Sequence, residues 1–285
     1  MECEILDCTL RDGAYVVDSI FGKDRIKSVI NYLCESGIDI VECGWLRNDS
    51  HKKDSVFYKN PDEIADYLPS KKSEFAVMFD YGRYDLNNLT QNNGLIDIIR
   101  IAFYKKSLDE ISFAIETVQS KGYKVFLQPS NIMEYSDKEI IKLVNRANYL
   151  AVNSLYIVDS FGSMFPEDLS RIIPLFSENV NKDIGIGFHS HNSLQMSLAL
   201  SIQFINNFKG RNIFVDASLS GIGRGAGNTK TELLAEYLNR CGKNYDVEFL
   251  IEGAEKNITP ISKEHYWEYT PQKGFKGIKG IHPNA

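Results

Sequence analysis

Apolar residues in this chain cluster in short β-rich runs, and longer helix-like segments separate the runs from one end to the other. Eight runs can be counted, at residues 4–10, 38–43, 74–79, 96–103, 124–128, 154–159, 184–189 and 213–217. Between or after them lie helical segments at 23–36, 62–68, 107–121, 136–146, 166–178, 193–207 and 229–241. Ser136, with Glu139 three residues on, has the form of a capping box, and Pro166 suits a first helical turn. Regular alternation of this kind is what parallel strands linked by crossover helices require. An open doubly wound sheet would alternate in the same way, but eight units without a dinucleotide-binding glycine fingerprint favour closure. The expected fold class is therefore α/β, a (β/α)8 TIM barrel. Residues 1–242 are assigned to the barrel and 243–285, aromatic and glycine-rich, to a C-terminal extension packed on it.

Barrel closure gives scattered residues a common address, because sites on this fold lie at the C-terminal ends of the strands. Asp12, Glu42, Asp159, His189 and Ser218 all fall at or just past such ends. In the seventh run, Gly185, Gly187, His189 and His191 share one face and Ile184, Ile186 and Phe188 the other. The glycine and histidine face is expected to look into the barrel. Two histidines one residue apart can supply half of a metal site, and Asp12 can complete a two-histidine, one-carboxylate set that leaves cation positions open. Arg11 and Asp12 cannot both face inward on a regular strand, so a bend is expected, placed at Gly13.

The formal charge of −6 and pI near 5.5 disfavour nucleic acid and anionic membrane surfaces as partners. Five cysteines with no CxxC spacing suit reduced thiols and a cytoplasmic location. The N-terminus has neither the basic start nor the apolar run of a signal peptide, and no apolar stretch is long enough to span a bilayer.

The segments DCTLRDG, VECGW, DSFG, FHSHN and SGIGRGAGNTKTE occur in this order. Together they resemble the DRE-TIM metallolyases, a superfamily of metal-dependent lyases and synthases that includes hydroxymethylglutaryl-CoA lyase and isopropylmalate synthase. FHSHN followed by GxGxGAGN looks most like the 4-hydroxy-2-oxovalerate aldolase branch. The resemblance implies Asp12, His189 and His191 as metal ligands, Arg11 as the catalytic arginine and Glu42 as the acid that holds it. It places Asp159 and Ser160 among substrate-contacting groups, although a turn role suits Asp159 as well. Asn228 is a candidate metal support, with the start of a helix as the plainer reading. The implied cofactor is one divalent ion, Mn2+ foremost, with Mg2+, Zn2+ or Co2+ as alternatives.

The implied reaction is an aldol cleavage or condensation of a 4-hydroxy-2-oxo acid through a pyruvate enolate, with a small 2-oxo acid and an aldehyde as partners and a homo-oligomer possible. An acyl-CoA condensing synthase and a catalytically silent member of the superfamily are the alternatives. One position departs from the pattern. Where the aldolases resembled here carry an acid/base histidine two residues after TLRDG, this chain has Tyr15, whose phenol would need a lowered pKa to act as a base near neutral pH. The sequence stops soon after His282-Pro283-Asn284, so the passing of aldehyde to a dehydrogenase through a second domain, as in such aldolases, is not expected of this chain, with truncation there as the alternative. His51 is expected to be solvated, Tyr81, Tyr84 and Tyr104 to pack, and His265, Tyr266 and Tyr269 to pack on the barrel.

Overall fold

A computed structural model describes residues 3–48, 53–70 and 73–283. His51, Asn284 and Ala285 lie outside the described residues. Among the described residues nine parallel strands occur: β1 (Cys3–Asp7), β2 (Ile40–Leu46), β3 (Phe57–Tyr58), β4 (Glu74–Asp80), β5 (Ile98–Phe103), β6 (Lys124–Pro129), β7 (Ser154–Asp159), β8 (Gly185–Ser190) and β9 (Ile213–Ala217). Without the two-residue β3, which lies beside the end of β2, they form a closed barrel of eight. The seam is made by β1, which pairs with β9 from Cys3↔Ile213 to Ala217 and with β2 at Leu6↔Ile40 and Asp7↔Val41.

The helices are α1 (Thr9–Gly13), α2 (Lys23–Glu35), α3 (Ser112–Ser120), α4 (Asp137–Tyr149), α5 (Pro166–Ser177), α6 (Ser197–Asn207), α7 (Thr231–Arg240), α8 (Val247–Asn257), α9 (Thr259–Ser262) and α10 (Pro271–Ile278). Ser136 caps α4 in the reciprocal box with Glu139. Residues 62–68, read as an α-helix from sequence, belong to a tighter 3-10 helix over Pro61–Tyr67 that Asn60 caps. Its short polar capping residue and the proline after it suit a first turn, and the segment ends where Leu68 turns extended. Among the described residues no helix is long and apolar enough to cross a membrane.

Two features of the barrel differ from the sequence expectation and shape the site. The first strand stops at Asp7, not at residue 10, and Thr9–Gly13 forms a single buried helical turn. The Asp7 carboxylate accepts the Thr9 N–H at 2.9 Å, which ends the strand and starts the turn. Gly13 is not the bend; it is helical, and a Cβ there would come within 2.9 Å of the Phe21 ring. The second strand bulges between Glu42 and Trp45, where Gly44 adopts φ 148° and its missing Cβ leaves room for the Val56 carbonyl. That bulge lets the Trp45 indole turn toward the barrel mouth and donate to the Arg11 carbonyl at 2.7 Å.

The barrel interior is layered. Leu6, Ile40, Ala76, Ile98, Phe126, Tyr156 and Phe214 form an apolar plug, separate from the larger apolar core between strands and helices. Gly185 and Gly187 face this plug: a Cβ at Gly185 would stand 2.5 Å from the Phe214 ring, and one at Gly187 only 2.2 Å from the Tyr156 ring. Alternation then carries the next residue of the same face, His189, to the layer above.

In the C-terminal part, α8 packs on α2, with the Phe249 and Tyr32 rings 4.4 Å apart. Further on, α10 lies over the loops that follow β7 and β8, where Gly277 approaches Ser193 and the Gly162 carbonyl. The last described residues therefore reach the barrel mouth.

The crowding at Gly187 gives a stability test. Gly187→Ala should lower unfolding stability by about 1–3 kcal/mol, the usual range for overpacking a close-packed interior. Urea denaturation would read this as a lower midpoint at constant slope, and Tyr156→Leu in the same chain should recover part of the loss.

Candidate active site

Above the apolar plug, a line of charged side chains crosses the barrel. Arg11 donates from Nη1 to Asp12 Oδ1 at 2.6 Å and from Nε to Glu42 Oε2 at 2.7 Å. The same Glu42 oxygen accepts Arg100 Nη1 at 2.8 Å, and Arg100 Nη2 donates to Asp216 Oδ2. His189 Nδ1 closes the line at 2.9 Å from that Asp216 oxygen. All six side chains are buried. Burial disfavours charge on Arg11, and the Glu42 and Asp12 carboxylates outweigh it, so the guanidinium is held protonated. Burial likewise pushes Asp12 upward, and Arg11 with the two histidines pulls its carboxyl well below the usual range.

The helical turn explains how Arg11 and Asp12 serve one site. Neighbours on a helix diverge by about 100°, not the half-turn of a strand, so both side chains can reach the mouth. Asp12 Oδ2 is fixed from the other side by Asn228 Nδ2 at 2.7 Å and by the backbone N–H of Arg224 at 3.3 Å. This approach needs a glycine at 223, since a Cβ there would lie 2.3 Å from Asp12 Oδ2.

The two histidines point their Nε2 atoms at each other across 3.4 Å. A carboxylate and a carbonyl only accept, so His189 Nδ1–H donates to Asp216 and His191 Nδ1–H to the Gly227 carbonyl at 3.2 Å. With each ring neutral, as a metal ligand must be, both Nε2 atoms carry lone pairs, and two facing lone pairs repel unless a cation lies between them. Their spacing matches that of two ligands on one ion, about 3.0–3.4 Å for bonds near 2.1 Å. Burial depresses the His191 pKa to about 3, against the pull of Asp12, which keeps the ring neutral as a ligand must be. Asp12, His189 and His191 place ligand atoms within 4.8 Å of one another. Asn228 Oδ1 is buried beside them without a hydrogen-bond partner. These residues fit a divalent cation. Asn228 is held by Asp12 through its amide nitrogen, which makes it a support for that carboxylate.

A cavity of about 220 Å³ opens above this set, lined among others by Arg11, Asp12, Tyr15, Ser160, His189 and His191. Tyr15 stands edge-on to Trp45, ring centroids 5.9 Å apart, under the Arg224 guanidinium. Burial pushes its phenol pKa up, and Arg224, pulling it down, does not prevail. The lowering needed for a phenolate base is absent.

Asp159, read from sequence as a substrate contact, is not among the cavity residues. Its Oδ1 accepts the Ser163 N–H at 2.9 Å and its Oδ2 the Met164 N–H at 3.2 Å and the Ser190 hydroxyl at 3.3 Å, so it holds the loop after β7 together. Burial pushes its pKa up to about 6 against those bonds. Ser160 does line the cavity, with its hydroxyl accepting the Asn131 N–H at 2.8 Å. Of the tyrosines expected to pack, Tyr84 is buried, but Tyr104 is 44% exposed and belongs to the cavity wall. His265 is exposed and lies by a separate groove with Tyr266, whereas His282 from the end of the chain lines the cavity.

The residues that sequence reading passed over are Arg100, Asp216 and Arg224. Arg100 and Asp216 are lone charges inside the apolar runs IIRIAF and IFVDA. Alternation from Ile98 and Phe214 places both inward, and an inward charge requires a buried partner.

The family model described as HMGL-like matches residues 101–252, more than half of the chain. The chain belongs to the HMGL-like family, and within it to the DRE-TIM barrel enzymes. It is 24% identical over 291 residues to the oxaloacetate decarboxylase of Mycobacterium tuberculosis, covering 97% of this chain and 83% of that protein. It is 27% identical over 267 residues to the 4-hydroxy-2-oxovalerate aldolase of Geobacillus genomosp. 3, covering 90% and 77%. The N-terminal domain of a candidate aldolase from Bacteroides vulgatus superposes with a TM-score of 0.84 at 26% identity, covering 99% of this chain and 94% of that one. The HMG-CoA lyase of Brucella melitensis shares the fold, with a TM-score of 0.73 at 17% identity over 88% of this chain and 96% of that one. The family is enzymatic, and this chain is a carbon–carbon lyase.

The facing lone pairs make the metal site testable. The purified protein should take up about one divalent ion per chain, and His189→Ala combined with His191→Ala should abolish uptake, as read by elemental analysis after dialysis. Full retention in the double variant would remove the assignment.

Proposed function

We propose that this enzyme cleaves or forms a 4-hydroxy-2-oxo acid, with pyruvate as the enolate partner. The observation that carries the reading is the convergence of Asp12, His189 and His191 beside Arg11 at the floor of a small polar cavity. Asp12, His189 and His191 would hold a divalent ion, Mn2+ in the first instance, which when bound would supply Lewis acidity to the oxygen that gains charge.

The chain's own residues divide the remaining work. Arg11 is fixed through Nε and Nη1, which leaves its Nη2 donors uncommitted. We assign them to the developing enolate oxygen, where a donor set in place beforehand needs no reorganisation. Glu42 and Arg100 act behind it as positioning residues. Ser160 is assigned a substrate contact on the cavity wall. In cleavage, the bond between C3 and C4 breaks, its electron pair passes into the enolate, and the proton of the 4-hydroxyl must leave. Tyr15 remains protonated, so its assigned role is to donate a hydrogen bond to the 4-oxygen while water accepts the proton. In the condensing direction the same phenol donates toward the aldehyde oxygen. Oxaloacetate decarboxylation uses the same enolate without any hydroxyl proton, and the similarity to an oxaloacetate decarboxylase over 97% of the chain favours it as a second activity.

Pyruvate release from oxaloacetate and from a panel of 4-hydroxy-2-oxo acids, followed with added Mn2+, tests the reading; release from neither class would remove it. Arg11→Lys should depress turnover by on the order of 10²-fold or more, because lysine lacks the planar fork, while metal content survives. Near-normal turnover would exclude Arg11 from enolate stabilisation.

Tyr15→Phe removes only the hydroxyl. It should slow aldol cleavage by at least about tenfold more than oxaloacetate decarboxylation, since only the former moves the hydroxyl proton. Equal losses in steady-state assays of both reactions would show that the hydroxyl serves packing or general binding and not the 4-oxygen.

A further inference from the structure

The mouth of the cavity holds a second guanidinium that the chemistry at Arg11 does not use. Arg224 follows β9 in the loop whose backbone grips Asp12. Its Nη2 donates to the Ser160 carbonyl at 3.0 Å, its Nη1 lies 3.4 Å from His282 Nε2, and the Tyr15 ring lies beneath it at 5.3 Å. None of these partners is an acid. Among the described residues, no carboxylate forms an ion pair with Arg224, whereas Arg11, Arg47, Arg83 and Arg100 each have one.

A guanidinium has five N–H donors, and protein partners take two of these. The Nε–H of Arg224 is buried with no partner at all. Burying such a donor is unfavourable unless a ligand completes it. His282 is no competitor for an anion: burial, followed by the charge of Arg224, lowers its pKa, so the ring is neutral and can accept from Nη1. The cavity lining then carries three arginines, Arg11, Arg83 and Arg224, against two acids, Asp12 and Asp80, before any cation is added. Arg83 leans on Asp80 at 3.6 Å, and Arg11 is committed to Glu42 and Asp12, which leaves Arg224 as the group of the lining with charge to spare.

We propose that Arg224 receives a second carboxylate at the far end of the substrate, so that the enzyme prefers dianionic 2-oxo acids and, in the condensing direction, an aldehyde that itself bears a carboxylate. The inference rests on the 2-oxo acid reading above and extends it. The first carboxylate of such a substrate belongs with its 2-oxo group at the Asp12, His189 and His191 end. The planar fork of Arg224, set on the Tyr15 ring, matches a carboxylate in a bidentate manner. It also places the acceptor's charge beside the phenol assigned to the 4-oxygen.

Calorimetric titration of the Mn2+-supplemented protein with 2-oxoglutarate and with 2-oxovalerate tests this without turnover. The two have the same chain length and differ in the terminal carboxylate. The native protein should bind 2-oxoglutarate tighter by about tenfold or more, the scale of a charge-assisted pair, with the ratio falling as salt is raised. Arg224→Met should bring the ratio to within about threefold, and Arg224→Lys should keep part of it. Equal binding of the two acids by the native protein, or an unchanged ratio in Arg224→Met, would overturn the inference and leave the 2-oxo acid reading standing. Binding of neither acid would overturn both. The native ratio and its salt dependence decide the matter even if the variants fold poorly.

Discussion

One line of alternating buried charge, Asp12, Arg11, Glu42, Arg100 and Asp216, which ends on the His189 ring, underlies the rest of this structure. Removing one member of such a line leaves an uncompensated charge inside the barrel, at a cost of about 3–5 kcal/mol. Position and protonation are thereby coupled across the mouth. The direction of the Arg11 guanidinium and the tautomer of His189 are set by the same pair of interior residues, Arg100 and Asp216. The line also does not balance. Three carboxylates face two guanidinium groups, and Glu42 Oε1 and Asp216 Oδ1 remain buried without partners. The residual negative charge lies within reach of the histidine pair, where it favours a cation.

The apolar plug beneath and the cavity above make that line effective. Leu6, Ile40, Ile98 and Phe126 keep water from the underside, which strengthens each contact in the layer above. On the open side, Tyr15, Tyr104 and Arg224 form a rim that is polar but partly covered. The arrangement keeps the electrostatically demanding groups dry and leaves the selective ones in reach of solvent.

Much of this was legible in the residues. The eight runs became the eight barrel strands because each is both apolar enough to be buried on two faces and short enough to be a strand. The HxH pair read correctly as inward because Gly185 and Gly187 share its face, and small residues there leave room for Phe214 and Tyr156. Less legible were the elements whose form depends on partners distant in sequence. The sequence carries the first strand to residue 10 and a bend to Gly13, and only the Asp7 side chain, accepting the Thr9 N–H, shows that the turn starts sooner. Asp159 reads as either a substrate contact or a turn residue, and the Ser163 and Met164 amides decide for a loop brace. Arg100 and Asp216 carried a local signal, a single charge in an apolar run, but their pairing joins residues 116 positions apart. His282 carried none, because its place depends on how α10 crosses the mouth.

The ligand set has a topological consequence. Asp12 follows β1, the strand at which the barrel is sewn shut, while His189 and His191 come from β8 and its end. An ion shared among them would act as a clasp, joining the first tenth of the chain to its last third across the seam. Closing so long a loop has a large entropic cost that the folded barrel must otherwise meet through the short pairings of β1. A bound ion would therefore oppose the peeling away of the N-terminal strand, and resistance to unfolding would rise with its concentration by mass action. The same three side chains that prepare the chemistry would then keep the reaction vessel from coming open.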